Sequence, residues 1–118
     1  MKANLRSLRT SDGEPLASFQ PSDPADFAIG VRAMIGPQDG PGEESFDVLV
    51  VAPRWLAAHP AEKGFRWGRS LLILDRWDPA RVDRAISDVV RRTEGSTWSE
   101  LAARLAGFAD WEFENYVE

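Results

Sequence analysis

Residues 34–56 are the most informative part of the sequence and contain three pieces: Met34-Ile35-Gly36-Pro37, Gly42-Glu43-Glu44-Ser45-Phe46-Asp47-Val48 and Ala52-Pro53-Arg54-Trp55-Leu56. The first two pieces predict two strands joined by a turn over residues 37–42, which hold two prolines and two glycines. Pro53 predicts the start of a short helix, because a proline at the first helical position gives up no hydrogen bond. The other strands and helices are predicted from the residues on either side of this unit.

The flanking strands follow from the alternation of apolar residues. Residues 26–36 predict a strand that places Phe27, Ile29, Val31, Ala33 and Ile35 on one face. Residues 43–52 predict the next strand, and its second half is apolar at every position except Asp47. That composition is typical of a central strand covered on both sides. Residues 2–9 alternate imperfectly and predict an edge strand, and residues 70–77 predict a fourth strand.

Two helices are expected after residue 77. Asp78-Pro79 is a typical helix start, and apolar residues then recur at three- and four-residue spacing until Gly95. Thr97 and Glu100 predict a capping box for a further helix, which Gly107 ends. Residues 10–25 read as a long loop, and residues 108–118 favour a strand. Together the elements predict an α+β fold: a mainly antiparallel sheet of about four to five strands with two to three helices packed on it, in a single domain over residues 1–118.

Composition limits the classes of function. The chain has 118 residues, a net charge of −5 and no cysteine. A disulfide framework and a thiolate metal site are thereby excluded, and a nucleic acid is not expected as a partner because phosphate binding needs a basic surface. The first residues do not resemble a signal peptide, and the longest apolar run, residues 48–53, is too short to span a bilayer. We therefore expect a cytoplasmic protein with no membrane association, no cofactor and no metal.

A search for catalytic residues favours a protein that is not an enzyme. His59 is the only histidine, and neither Ser45 nor Ser70 has the sequence context of an activated nucleophile. The alternative is a small enzyme or ligand-binding domain with a carboxylate-based site, in which Glu43, Glu44 and Asp47 could hold Mg²⁺ or Ca²⁺. That alternative predicts a deep pocket lined by two or more of these acids.

The sequence also resembles a known family. The pieces between residues 34 and 56 are followed by Gly68-Arg69-Ser70, Gly95-Ser96-Thr97-Trp98 and Trp111-Glu112-Phe113-Glu114-Asn115-Tyr116. Over nearly all 118 residues this order resembles the immunity protein 8 family of bacterial polymorphic toxin systems. The resemblance implies a small cytoplasmic protein that neutralises a toxin encoded beside it, and hence a protein partner.

The resemblance does not supply contact residues, so these are inferred from the residues themselves. No basic residue occurs in residues 33–53 or 106–118, although both ranges are rich in acids. A negative surface would steer a cationic toxin site, and exposed aromatic side chains would anchor it. The candidate toxin-binding residues are Glu43, Glu44, Asp47, Trp67, Trp111, Glu112, Glu114 and Tyr116. Ordinary solvated carboxylates, aromatic side chains folded onto the core, and a homodimer built on an apolar patch remain the alternatives.

Overall fold

A computed structural model describes residues 1–113 of the chain. The elements in chain order are β1 (Ala3–Thr10), a 3₁₀ turn (Leu16–Ser18), β2 (Ala28–Pro37), β3 (Glu44–Val51), α1 (Pro53–Ala58), β4 (Leu71–Ile73), α2 (Pro79–Arg92), α3 (Trp98–Leu105) and β5 (Asp110–Trp111). The α+β class and the strand-turn-strand-helix unit around residues 34–56 are confirmed.

The sheet is centred on β3. The strands follow the order β1-β2-β3-β4, and β5 joins the same edge of β3 as β4 does. β4 runs parallel to β3 opposite Leu49–Val51, whereas β5 is antiparallel and lies opposite Phe46 and Asp47. The two remaining strand pairs are antiparallel. Two short strands from distant parts of the chain therefore share one edge of the central strand.

One face of the sheet forms the core with the helices. Val31, Ala33 and Ile35 of β2 are buried together with Phe46 and Val48 of β3. The helices contribute six buried residues to the same cluster: Val82, Ile86, Val90, Leu101, Ala102 and Leu105. The alternating pattern of β2 and the apolar stripe of α2 are thus confirmed as the core-forming faces.

The opposite face of the sheet is only partly covered, so the prediction that β3 is enclosed on both sides is correct only in part. Val51 is fully buried, but Asp47 and Leu49 on the same face are only half-buried. The reason lies in Asp47, whose carboxylate binds Arg32 of β2 on this face. A charged pair of this kind retains access to water more readily than it enters a core.

A bulge explains the imperfect alternation of the first strand. The pairing of β1 with β2 shifts in register between Leu5 and Ser7. Because one extra residue reverses the facing of all later side chains, the core-facing set changes from Ala3 and Leu5 to Leu8 and Thr10. β1 is an edge strand, as predicted.

The predicted fourth strand is too long. β4 begins only after Ser70, whose φ of +64° is incompatible with a strand, and it ends at Ile73. Beyond it Trp77 turns into the core, where its ring packs edge-on against Phe19 and Phe27 and its Nε1 donates to the Phe19 carbonyl at 3.1 Å. The loop of residues 10–25 is consequently packed against the core.

Both predicted helix caps are present. Asp78 accepts a hydrogen bond from the Ala80 amide at 3.0 Å, and Thr97 accepts one from the Glu100 amide at 3.2 Å. The Glu100 carboxylate does not return to the cap, since it pairs with Arg104 at 2.8 Å. α2 ends at Arg92, before Gly95. Gly95 serves packing instead, because a Cβ there would lie 2.6 Å from the Leu101 amide nitrogen.

Candidate functional site

Four of the predicted acids converge where β3 begins. Residues 43–47 lie beside β5 and the residue that follows it, so the fold joins two acidic stretches that are 67 positions apart in the chain. We call this the acidic surface, which consists of Glu43, Glu44, Asp47, Asp110 and Glu112. The predicted Glu114 and Tyr116 lie outside the described residues.

Glu44 holds a tryptophan. Its Oε2 accepts a hydrogen bond from Trp111 Nε1 at 2.6 Å. Trp111 also stacks on buried Phe46, with ring centroids 6.2 Å apart and planes within 7°, and is only half-buried itself. Phe113 also packs edge-on against the Trp111 ring, with centroids 6.2 Å apart. Glu44 and Trp111 therefore fix β5 to β3, and the indole ring remains partly accessible.

Asp47 is committed to an ion pair on the partly covered face of the sheet. Its two carboxylate oxygens lie 2.9 and 3.0 Å from Arg32 Nε and a terminal nitrogen of the same guanidinium. The hydrogen bond and the charge of Asp47 raise the pKa of Arg32 above its ordinary value, and Glu112 adds a smaller contribution. Asp47 thus contributes little free negative charge to the acidic surface.

Glu112 caps the start of β3. Its Oε1 accepts from the Ser45 amide at 2.5 Å, and its own amide donates to the Ser45 carbonyl at 3.2 Å. Glu112 follows β5 rather than lying in a longer strand, because β5 ends at Trp111. Its side chain is exposed, as is that of Glu43. These two carboxylates remain accessible to a partner.

Asp110 is not among the predicted binding residues, although it belongs to the acids of residues 106–118. It accepts a hydrogen bond from the Ser70 hydroxyl at 2.8 Å and so ties β5 to the start of β4. Asp110 and Glu112 are two residues apart, and this spacing could have indicated that both belong to the same acidic surface. The Ser70 contact could not be read from the sequence, because it depends on the unusual backbone of that residue.

A second candidate surface is formed by residues 62–69, which we call the aromatic segment. Every residue in it is exposed. Trp67 is 83% exposed and Phe65 is 62% exposed. The alternative in which this loop folds its aromatic side chains onto the core is therefore wrong for both residues. Phe65 was not among the predicted binding residues, although its position two residues before Trp67 was a usable signal.

The aromatic segment is anchored at two points, in its middle and at its C-terminal end. In the middle, Arg66 lies over the Trp55 ring of α1, with its guanidinium carbon 5.7 Å from the ring centroid, and donates to the His59 carbonyl at 3.4 Å. At the C-terminal end, Arg69 donates two hydrogen bonds, of 2.8 and 3.1 Å, to the carbonyl of Ala106. The second anchor brings the aromatic segment next to the chain that leads into β5, so the two candidate surfaces adjoin.

An apolar cavity of about 100 Å³ lies between the sheet and the helices, lined by residues such as Phe46, Val48, Ile86, Leu105 and Phe108. No acid lines it. Within residues 1–113 no three His, Asp or Glu side chains are placed to hold a metal ion together. None of the acids of the acidic surface lines this cavity, so it is not the carboxylate-lined pocket that the enzyme alternative predicts.

Comparison with known proteins identifies the family of this chain. The family model described as immunity protein 8 matches residues 3–116. No curated protein and no solved structure matches the chain significantly. In the described range, none of the helices has the length and apolar character required to cross a bilayer. With a match that spans nearly its whole length, the chain belongs to the immunity protein 8 family.

Proposed function

We propose that this protein is the immunity component of a bacterial polymorphic toxin system. As a single domain over residues 1–118, it acts in the cytoplasm without catalysis of its own. It binds a cognate toxin domain and neutralises it by covering the toxin's active site or an adjoining surface. Family membership supports the immunity role. The observation that carries the binding mechanism is the 83% exposure of Trp67.

The exposure of Trp67 has a physical cost that binding would remove. Large aromatic side chains usually dominate cores or interfaces, and tryptophan is among the residues most enriched at binding hot spots. Here Trp67 and Phe65 are exposed on either side of Arg66, which contacts α1, and Arg69 holds the C-terminal end of the segment. Because the backbone is held at these two points and both rings are exposed, a partner can cover the rings without reorganising the core.

We assign the acidic surface a supporting role. Glu43 and Glu112 are exposed and would attract a cationic toxin site over a distance of about 10 Å at ordinary ionic strength. Glu44 and Asp47 act mainly within the protein, through Trp111 and Arg32. The acidic surface and the aromatic segment adjoin through Arg69 and Ser70. A standard interface of roughly 1,600 Å² in total is large enough to include both.

The proposal is tested with the toxin domain encoded beside this gene. Co-expression of the two chains should yield a complex that survives gel filtration and should restore growth to cells in which the toxin domain alone is lethal. A toxin domain that remains lethal and does not copurify would refute the proposal. Turnover of a substrate by the purified chain alone would contradict its non-catalytic part.

The role of charge is tested separately with Glu43→Lys. This substitution should lower the association rate constant roughly three- to ten-fold at low salt, with a smaller effect at high salt, and leave the dissociation rate nearly unchanged. Asp83→Lys on α2 makes the same change in net charge outside both candidate surfaces and serves as the control, since the Asp83 carboxylate is hydrogen-bonded to Ser87 of its own helix. Equal association rates for wild type and Glu43→Lys would remove the acidic surface from the mechanism.

A further inference from the structure

The two outer edges of the sheet are built differently. At the β1 edge, isolated bridges occupy both ends of the strand, where Lys2 pairs with Glu94 and Arg9 pairs with Pro15. A bulge interrupts the middle of the strand near Arg6. Bulges, charged residues and covering loops are the usual means by which proteins prevent other chains from pairing with an edge strand. The β1 edge is therefore protected.

The β4 edge is a strand of only three residues, with no register shift in its pairing with β3. Residues 70–74 carry no charge and include four consecutive aliphatic residues. Ile73 is 55% exposed. In the part of the chain that the structure describes, no strand pairs with the outer side of β4. An uncharged, apolar, open edge is a liability for a protein that stays alone, because it is a template for pairing with another chain.

The main-chain groups available at this edge can be identified from the ladder. The Leu49 amide donates to the Ser70 carbonyl at 2.9 Å, and the Leu74 amide donates to the Val51 carbonyl at 3.0 Å. Because hydrogen-bonding direction alternates along a strand, residues 70, 72 and 74 face β3 and Ile73 faces outward. Both the N–H and the C=O of Ile73 therefore point away from the sheet.

We infer that the outer edge of β4 accepts an extended segment of the toxin, which adds to the sheet as a further strand beside Ile73. This inference rests on the proposed function. Main-chain pairing supplies part of the affinity in strand addition, and side-chain pockets supply the selectivity. Three residues of β4 span only about 10 Å, so the strand cannot form an interface without the neighbouring aromatic segment.

Two observations favour the toxin as the chain that binds at the β4 edge: the edge is continuous with the exposed aromatic segment, and this stretch of chain carries only positive charges. Only Gly68, Arg69 and Ser70 separate Trp67 from β4, so the open edge and the exposed rings belong to one stretch of chain. Lys63 and Arg66 are exposed in that stretch, and no acid occurs between residues 63 and 74. The segment that binds should carry apolar residues at alternate positions and a carboxylate at the end near the aromatic segment.

Ile73→Pro tests the main-chain contact. Proline removes the Ile73 N–H, which the ladder to β3 does not use, and proline is tolerated on edge strands when that group faces solvent. We expect the affinity for the toxin domain encoded beside this gene to fall about ten- to a hundred-fold, because the partner loses a hydrogen bond and meets the ring instead. Ile73→Val, which keeps the N–H and an apolar side chain, should bind within about three-fold of wild type.

Amide hydrogen exchange in the unmodified protein provides a measurement that does not depend on the folding of a variant. The Ile73 amide should exchange rapidly in the free protein and become protected in the complex. Complex formation with no protection of this amide and full affinity in Ile73→Pro would overturn the inference and leave the proposed function standing. Failure of the wild-type protein to bind the toxin domain would refute the proposed function itself. Protection of the amide in the protein alone, accompanied by dimeric mass, would assign the edge to a second copy and overturn the inference.

Discussion

Replacing Trp67 with alanine should separate binding from folding. Trp67 is 83% exposed in the free protein, so only about one sixth of its side chain is covered. For a side chain of roughly 250 Å² this amounts to about 40 Å², and its loss should lower the free energy of unfolding by at most about 1 kcal/mol. The folded protein should therefore tolerate the substitution.

The effect on the complex should be much larger. Covering the exposed remainder of Trp67 would bury about 200 Å², an upper value of about 5 kcal/mol before the costs of association are subtracted. Truncation of a central interface residue commonly costs about 2–4 kcal/mol. The dissociation constant should consequently rise about 30- to 1,000-fold. Isothermal titration calorimetry with the toxin domain measures the affinity, and urea unfolding of the free protein measures the stability.

Trp98→Ala is the matched control. Trp98 on α3 is half-buried and packs edge-on against Phe46, with ring centroids 6.5 Å apart. Its truncation should cost about 2 kcal/mol of stability and leave the affinity of the folded protein unchanged. If Trp67→Ala binds as tightly as wild type, the aromatic segment is not the anchor and the reasoning from exposure is refuted.

Three further substitutions examine the contacts that shape the candidate surfaces. Glu44→Ala should shift the indole N–H resonance of Trp111 in an NMR spectrum, whereas Glu44→Gln, which keeps an acceptor oxygen, should shift it less; identical spectra would show that the 2.6 Å hydrogen bond is absent in solution. Ser70→Gly should be more stable than Ser70→Ala by about 1 kcal/mol in urea unfolding, because both lose the hydroxyl but only glycine relieves the φ of +64°; equal stabilities would argue against that backbone conformation. Gly95→Ala should lower the free energy of unfolding by about 1–3 kcal/mol, since its Cβ would lie 2.6 Å from the Leu101 amide nitrogen, and an unchanged melting temperature would contradict this packing.

Local sequence patterns were sufficient to predict the helices and the long strands. The caps at Asp78 and Thr97 and the buried side chains of Val82, Ile86 and Val90 depend on neighbours within one or two helical turns. Such short-range relations are visible as spacing in the sequence. The same holds for β2, where apolar alternation alone identifies the buried face.

Contacts between distant residues could not be predicted in this way. The aliphatic run after Ser70 looks like one long strand, but its end is diverted because Trp77 packs on Phe19, 58 positions earlier. The pairing of Asp47 with Arg32 requires the register of β2 and β3. For the candidate site, the sequence shows which ranges are rich in acids and which loop carries Phe65 and Trp67. It could not distinguish Glu44, which holds Trp111, from Glu43, which is exposed, because that difference depends on a partner 67 positions away.

The entirely exposed character of residues 62–69 has a consequence for how such a protein can change over generations. Substitutions at exposed positions away from special contacts usually alter stability by less than about 0.5 kcal/mol. Positions such as Lys63 and Phe65 can therefore vary while the scaffold persists. Under the proposed function, a change in the toxin domain could be matched by substitutions within this short stretch, without a compensating redesign of the interior.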